Sequence, residues 1–139
     1  MTSQSKQTEK VLGEENSNLA LLDKNLHHTI DAAGKTIGRV ASEAAKALMG
    51  KMSPQYTPNI RSQVKVKITN ASRLYIREKK RVSKIYTSYT GYPGGLRKER
   101  LEELAARKGV GEPLRRAIER MLPRNTFRTA RMKNLNISE

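Results

Sequence analysis

Apolar side chains recur every three or four positions in the segment that begins near residue 36. This spacing is that of one face of an α-helix, because 3.6 residues complete each turn. It predicts a helix over residues 36–49 whose inward face carries Ile37, Val40, Ala41, Ala44 and Leu48. Thr36 is placed to cap the start of this helix, and Gly50 stands where a left-handed residue ends many helices.

A different period, with apolar and polar residues in strict alternation, marks the segment 64–69. Val64, Val66 and Ile68 are predicted to face a core, while the two lysines between them face solvent or a ligand. Short stretches rich in β-branched or aromatic residues predict three more strands, over residues 28–31, 74–77 and 84–89.

The C-terminal third is predicted to be mainly helical. The helical period recurs over residues 98–107 and 113–122, and Asn125 is placed to cap a last short helix. Residues 78–81 are predicted as a charged turn, and the glycines and proline of 91–95 predict a loop. The order of elements predicts an α/β protein: a single three-layer domain with a short, mostly parallel four-stranded sheet flanked by helices.

Charge divides the chain into two parts. Of its 139 residues, 28 are Lys or Arg and 13 are Asp or Glu, and the net charge is +15. Residues 1–26 hold three Lys and four acids, so the whole surplus lies in residues 27–139. We therefore predict a flexible polar N-terminal extension over 1–26 and one α/β domain over 27–139. A surplus of this size favours a polyanionic partner, because it destabilises a free compact domain by self-repulsion.

Several function classes are excluded by residues that the sequence lacks. Without cysteine there is no disulfide, thiolate nucleophile or cysteine zinc site. There is no run of about 18 apolar residues, so no membrane span is predicted. His27 and His28 are adjacent and would point to opposite faces of a strand, so they form a poor metal pair. We predict no catalytic residue, metal, cofactor, small-molecule substrate or membrane contact.

The triplet Gly34-Lys35-Thr36 resembles the end of a phosphate-binding P-loop. A P-loop also requires a glycine five residues before the Gly-Lys pair, because a wide turn of backbone amides wraps the phosphates. That position is Thr29, so the triplet is interpreted as a tight turn that opens the helix. A small NTPase is therefore the weakest hypothesis, although the start of the helix suits a single RNA phosphate.

Basic residues interleaved with tyrosine and glycine are the strongest chemical signal in the chain. Lysine and arginine attract phosphates, and the planes of tyrosine and arginine stack on unpaired bases. One basic run alone is usually the solvated face of a helix, but several runs in a domain of this charge favour RNA. Tyr86 alternates with Ile85 and is interpreted as either a core residue or a contact residue.

Six motifs match one protein family in order and at near-family spacing. They are DAAGKTIGRVASEAAKALMGK (31–51), PQYTP (54–58), ITNA (68–71), KIYTSYTGYPGGL (84–96), LEEL (101–104) and ERMLPRN (119–125). On these residues the chain resembles the universal large-subunit ribosomal protein that is thirteenth in the bacterial series, and GYPGG is typical of its bacterial branch. The His27-His28 pair and residues 61–64 depart from the family pattern and indicate a divergent member.

The resemblance implies a three-layer α/β fold, binding to large-subunit ribosomal RNA beside neighbouring ribosomal proteins, a role early in subunit assembly and no enzyme activity. It places the chain in cytoplasmic ribosomes, with an organelle ribosome as the alternative. The matching motifs imply RNA contacts by Lys35, Arg39, Lys51, Tyr56, Lys84, Tyr86, Tyr92, Gly94, Gly95, Arg97, Arg124 and Asn125. The basic runs add Lys79, Lys80, Arg81, Lys98, Arg128 and Arg131. The alternative function is a regulatory protein that binds messenger RNA outside the ribosome.

Overall fold

The computed structural model describes residues 26–54 and 56–139, so the predicted extension lies, apart from Leu26, outside the described residues. The described elements are β1 (His27–Asp31), α1 (Ile37–Met49), β2 (Lys65–Thr69), a 3-10 turn (Ala71–Arg73), α2 (Glu78–Ser83), β3 (Ile85–Tyr89), β4 (Leu96–Arg100), α3 (Leu101–Lys108), α4 (Gly111–Met121), α5 (Phe127–Lys133) and β5 (Leu135–Ile137). This mixture of helices and parallel strands confirms the α/β class.

Three strands form a parallel sheet in the order β1-β2-β5, with β2 in the centre. Val66 and Ile68 of β2 are buried and the two lysines of the strand are exposed, as the alternation predicts. Thr29, Lys67 and Asn136 are register neighbours across the three strands, and all of them are exposed. The helices therefore cover one face of the sheet, and within the described residues the other face is open and polar.

Helix α1 is the centre of the core. Its predicted inward residues are all buried, and so are Ala45 and Ala47, because α1 contacts α4 as well as β1 and β2. The layers are thus the sheet, α1 and α4. Gly50 ends α1 in the left-handed conformation (φ 81°) and donates its N–H to the Ala47 carbonyl oxygen at 2.9 Å, as predicted. Thr36 occupies the N-cap position, but its side chain makes no capping hydrogen bond.

The sheet has three strands in the described part of the chain, where four were predicted, and only the predicted strands 28–31 and 64–69 belong to it. Its third strand, β5, was not predicted, and the predicted strand 84–89 pairs with β4 instead. The segment 74–77 contributes only one bridge, between Thr36 and Tyr75. The reason is the lack of room between two helical segments. Asn70 turns the chain out of β2 with φ 58°, the 3-10 turn follows at once, and α2 already begins at Glu78.

Strands β3 and β4 form a separate antiparallel hairpin that pairs Ile85 with Arg100 and Tyr89 with Leu96. The helix predicted from residue 98 begins only at Leu101, because pairing with β3 overrides the helical preference of the charged residues before it. The turn predicted over 78–81 is also wrong, since Glu, Lys and Arg are good helix formers and lie in α2. None of the helices described is long and apolar enough to cross a membrane.

Candidate nucleic-acid interface

The hairpin β3–β4 exposes large apolar and aromatic side chains. Tyr89, Tyr92 and Leu96 are 64%, 75% and 56% exposed. A two-stranded hairpin is marginally stable by itself, and an exposed apolar patch on a small protein usually marks an interaction site. The open face of this hairpin, which carries Ile85, Thr87, Tyr89, Leu96, Lys98 and Arg100, is therefore a candidate contact surface.

Cations surround the hairpin, and five of them have no acidic partner among the described residues. Arg97 and Lys98 are exposed neighbours on β4, so their side chains point to opposite faces of the hairpin. Helix α2 contacts β4 and adds three exposed cations, Lys79, Lys80 and Arg81. None of these five side chains forms one of the four ion pairs within the described residues. The structure thus brings together the predicted contacts of the two segments 79–81 and 97–98.

The glycines of the hairpin loop are explained in part by the turn itself. Gly91 and Gly94 have positive φ angles of 91° and 75°, which favour glycine. A Cβ atom on Gly95 would contact the side chain of Thr90 and lie 2.9 Å from the carbonyl oxygen of Tyr92. The exposed Gly94 remains a predicted RNA contact, whereas the half-buried Gly95 is required by the fold of the loop.

Tyr86 packs in the core and is only 7% exposed, so a predicted RNA contact could reach it only through the opening beside its ring. Three cations cover it: Lys84 Nζ, Arg116 Cζ and Arg120 Cζ lie 5.8, 5.1 and 5.6 Å from the centre of its ring. Burial raises the pKa of the Tyr86 hydroxyl above its ordinary value, against the opposite effect of Arg120 and Arg116.

A cavity of about 250 Å³ opens beside this ring, and we call it the Tyr86 cavity. Its polar lining consists of Tyr86, Lys80, Lys84, Arg116 and Arg120, and the remaining lining residues are the first two of α1 and two apolar residues of α4. The cavity unites two residues predicted from basic runs and motifs, Lys80 and Lys84, with two arginines of α4 that were not among the predicted contacts. Their spacing of four residues places both arginines on one face of α4, which is the signal that could have found them.

Other predicted contacts lie apart from this region. Lys51 Nζ lies 5.7 Å from the centre of the Tyr56 ring, beyond the C-terminal end of α1. Lys35 precedes the N-terminal end of α1, so the 13-residue helix, about 20 Å long, separates the two groups. Lys35 Nζ forms an exposed ion pair with Glu43 Oε2 at 3.3 Å, and Arg39 is exposed and has no acidic partner in the part of the chain that the structure describes. Such surface pairs are weak, so Lys35 stays available to a phosphate.

The C-terminal contacts divide into exposed and covered residues. Arg124 and Asn125 are exposed after the end of α4. Arg128 is half-buried and lies 3.1 Å from Glu119. Arg131 is only 2% exposed, with its guanidinium 5.6 Å from the Phe127 ring, and this corrects its prediction as an RNA contact. Arg131 lies on the buried side of α5, which the single basic run did not reveal.

Tyr89 and Arg100 are contact candidates that were not on the list of predicted RNA contacts. The alternation in KIYTSY places Tyr89 on the face of the hairpin opposite to the buried Tyr86, so the alternation along the strand was the available signal. Arg100 lies opposite Ile85 on the same open face.

No other chemistry is assembled by the described residues. They contain no group of three His, Asp or Glu side chains that could hold a metal ion. Asp31 accepts hydrogen bonds from Asn70 Nδ2 (2.9 Å) and from the Ala33 N–H (3.1 Å), which hold the pKa of its carboxyl below the ordinary value. Asp31 thus binds the turn that follows β1.

Comparison with known proteins identifies the family. The family model described as "Ribosomal protein L13" matches residues 25–139. Large ribosomal subunit protein uL13 of Rubrobacter xylanophilus is 41% identical over 110 residues, which cover 79% of this chain and 76% of that protein. The uL13 proteins of Thermus thermophilus (41% over 108 residues, 78% and 76% covered) and Alcanivorax borkumensis (37% over 110 residues, 79% and 77% covered) are also similar. The chain, with its basic hairpin and α/β core, belongs to the ribosomal protein L13 family.

Proposed function

We propose that this chain is a structural constituent of the large ribosomal subunit that binds large-subunit ribosomal RNA and supports early subunit assembly. Membership of the family makes it a bacterial-type ribosomal protein and, since the family is structural, confirms that it is not an enzyme. The RNA contact and the assembly role rest on the interface. The observation that carries them is the hairpin β3–β4, which exposes Tyr89, Tyr92 and Leu96 between cations that have no acidic partner among the described residues.

The proposed mechanism is neutralisation of phosphates by a rigid scaffold. Helix α3 packs on α4 and contacts both α2 and β4, and the buried Tyr86 joins β3 to the core, so the core fixes the positions of the hairpin and of α2. Lys and Arg side chains on these elements release counterions from RNA, while exposed tyrosines stack on unpaired bases. Because the predicted contacts lie at both ends of α1, the protein would hold separate RNA segments together. Joining such segments is a role suited to early assembly.

The proposed partners are large-subunit ribosomal RNA and neighbouring ribosomal proteins, and the proposed location is the ribosome of the cytoplasm. Residues 27–139 are proposed as the RNA-binding domain. The open face of the sheet, with Lys65 and Lys67 at its centre, supplies a further polar surface for either kind of partner.

The test is a sucrose gradient of a native lysate at low and high magnesium, probed for this chain. Co-migration with large subunits that persists after subunit dissociation and a moderate salt wash supports the proposal. A protein found mainly at the top of the gradient would refute it. Crosslinking and sequencing would then decide whether messenger RNA is the partner.

A further inference from the structure

We propose that the Tyr86 cavity is a socket for one unpaired RNA nucleotide, which inserts its base against the start of α1 and its phosphate among the cations. This inference rests on the proposed RNA-binding function and goes further, because it assigns a specific site and ligand class. The cavity is about 250 Å³ in volume, slightly below the range of about 300–1,000 Å³ that is typical of small-molecule sites. It suits a single nucleotide and not a duplex.

The charge of the lining selects an anion. Lys80, Lys84, Arg116 and Arg120 line the cavity, and no acidic residue does. Among the described residues only Arg116 of these four has an acidic partner, Glu112 at 3.3 Å. The first turn of α1 also contains no acidic residue, and the Thr36 side chain leaves it uncapped. The unsatisfied amides and the dipole of the helix start add to the positive potential of the cavity, which the phosphate enters among the cations.

Tyr86 contributes an aromatic wall to the cavity. Its side chain is only 7% exposed and lines the cavity, with Lys84, Arg116 and Arg120 between 5.1 and 5.8 Å from the centre of its ring. The hydroxyl is not one of the buried polar atoms that lack a hydrogen-bond partner among the described residues, so it is accessible and can bond a phosphate oxygen or a base edge.

The floor of the cavity is apolar and contains a glycine that packing does not require. Ile37, Ala117 and Met121 form this floor together with Gly38. A Cβ atom on Gly38 would meet nothing within 4 Å, and the residue has no positive φ angle. Glycine disfavours helices, so its presence in α1 has no reason in the free protein. Close approach of a flat base to the backbone gives a reason, and the guanidinium planes of Arg116 and Arg120 can stack on that base.

The first experiment measures binding of three probes to the free, full-length protein: adenosine 5′-monophosphate, ribose 5-phosphate and inorganic phosphate. The observable is the NMR signal of the Met121 methyl group, assigned with a Met121→Leu variant. We expect the nucleotide to bind more tightly than ribose 5-phosphate, and ribose 5-phosphate more tightly than phosphate. Equal affinity for the three probes, or no change in the Met121 signal, would overturn the proposal.

Two variants distinguish nucleotide binding in the cavity from a general attraction to the positive charge of the protein. Arg120→Gln should weaken nucleotide binding about tenfold, because it removes a charge-assisted hydrogen bond. Arg115→Gln is the matched control, since Arg115 is an exposed neighbour on α4 that does not line this cavity. It should change affinity less than about twofold, as expected for a distant surface charge. Equal losses in the two variants would contradict a defined site.

Gly38→Ala tests the base-binding floor. The methyl group has room in the free protein, so we expect thermal stability to be unchanged or higher. Nucleotide binding should weaken at least threefold, while phosphate binding should stay the same. Unchanged nucleotide binding would show that the base does not lie against Gly38. If the gradient places the chain in large subunits but no probe binds, only the cavity inference fails; probe binding without co-migration would refute only the ribosomal function.

Discussion

Charge reversal on β4 is a direct test of the hairpin as an RNA contact. Arg97 and Lys98 are exposed, lie opposite Ser88 and Thr87, and have no acidic partner within the described residues. The double variant Arg97→Glu plus Lys98→Glu therefore removes no core contact and breaks no ion pair. We expect the free energy of unfolding to change by less than about 0.5 kcal/mol per substitution, as is usual for surface sites.

The expected effect on RNA binding follows from counterion release. Each lost phosphate contact reduces the slope of log K against log salt concentration by about 0.7–0.9. Loss of two contacts therefore reduces the slope by about 1.4–1.8, so that the salt sensitivity between about 50 and 200 mM falls by roughly tenfold. The two new carboxylates add repulsion, so the affinity deficit should be largest at the lowest salt concentration.

The assay is fluorescence anisotropy of a labelled large-subunit RNA fragment with the full-length protein over a range of potassium chloride concentrations. The matched control is Lys46→Glu plus Lys108→Glu, which changes the net charge equally at exposed residues on α1 and α3 that are not among the predicted contacts. The control should retain most of the wild-type slope. If the folded β4 variant also keeps the wild-type slope, Arg97 and Lys98 do not contact phosphates and the reasoning is refuted.

Three further predictions concern buried groups and the hairpin loop. The Arg131 guanidinium has no acidic partner among the described residues. Arg131→Met should therefore raise the free energy of unfolding by up to about 3 kcal/mol or leave it unchanged, whereas Arg131→Ala should lower it by about 2–4 kcal/mol. A large loss of stability in the Met variant, measured by urea unfolding, would mean that the charge is paired. Burial raises the pKa of Tyr86 above its ordinary 10.0, so its contribution to stability is complete below pH 10 and is lost as the pH rises through the folded-state pKa. In an absorbance titration one tyrosine should ionise after the others, and Tyr86→Phe should abolish that late step; five tyrosines that titrate together would contradict the burial argument. Gly95→Ala must open the loop to relieve the contact with the Tyr92 carbonyl oxygen, so hydrogen exchange of the β3 and β4 amides should accelerate, and unchanged exchange would show that the loop adapts without cost.

The parts of the fold that could be predicted are those in which one period dominates. In α1 the helical spacing, the N-cap position and the closing Gly50 agree, and the helix is found where predicted. In β2 the alternation of valine and isoleucine with lysine determines both the strand and its buried face. These elements lie at the centre of the core, where burial selects for a regular pattern.

The prediction failed where tertiary contacts override a weak local signal. Residues 97–100 are all charged, so no apolar period distinguishes a strand from a helix, and only pairing with β3 makes them a strand. The wrong prediction for Arg131 has a similar cause, because the local sequence does not show which side of the helix is buried. A charged residue is assigned to the surface by default, and the nearby Phe127 is a slight indication that its helix face is covered.

The candidate interface was predictable in its chemistry but not in its geometry. The excess of basic residues indicates a polyanion, and the alternation in β3 suffices to separate the buried Tyr86 from the exposed Tyr89. The Tyr86 cavity, however, is built by α1, α2 and α4 with β3, segments that are far apart in the chain. Gly38 has no local motif to mark it, and becomes meaningful only when the structure shows open space above it and four cations around that space. A glycine that neither a turn nor packing requires is therefore the observation that converts a basic surface into a specific, testable nucleotide site.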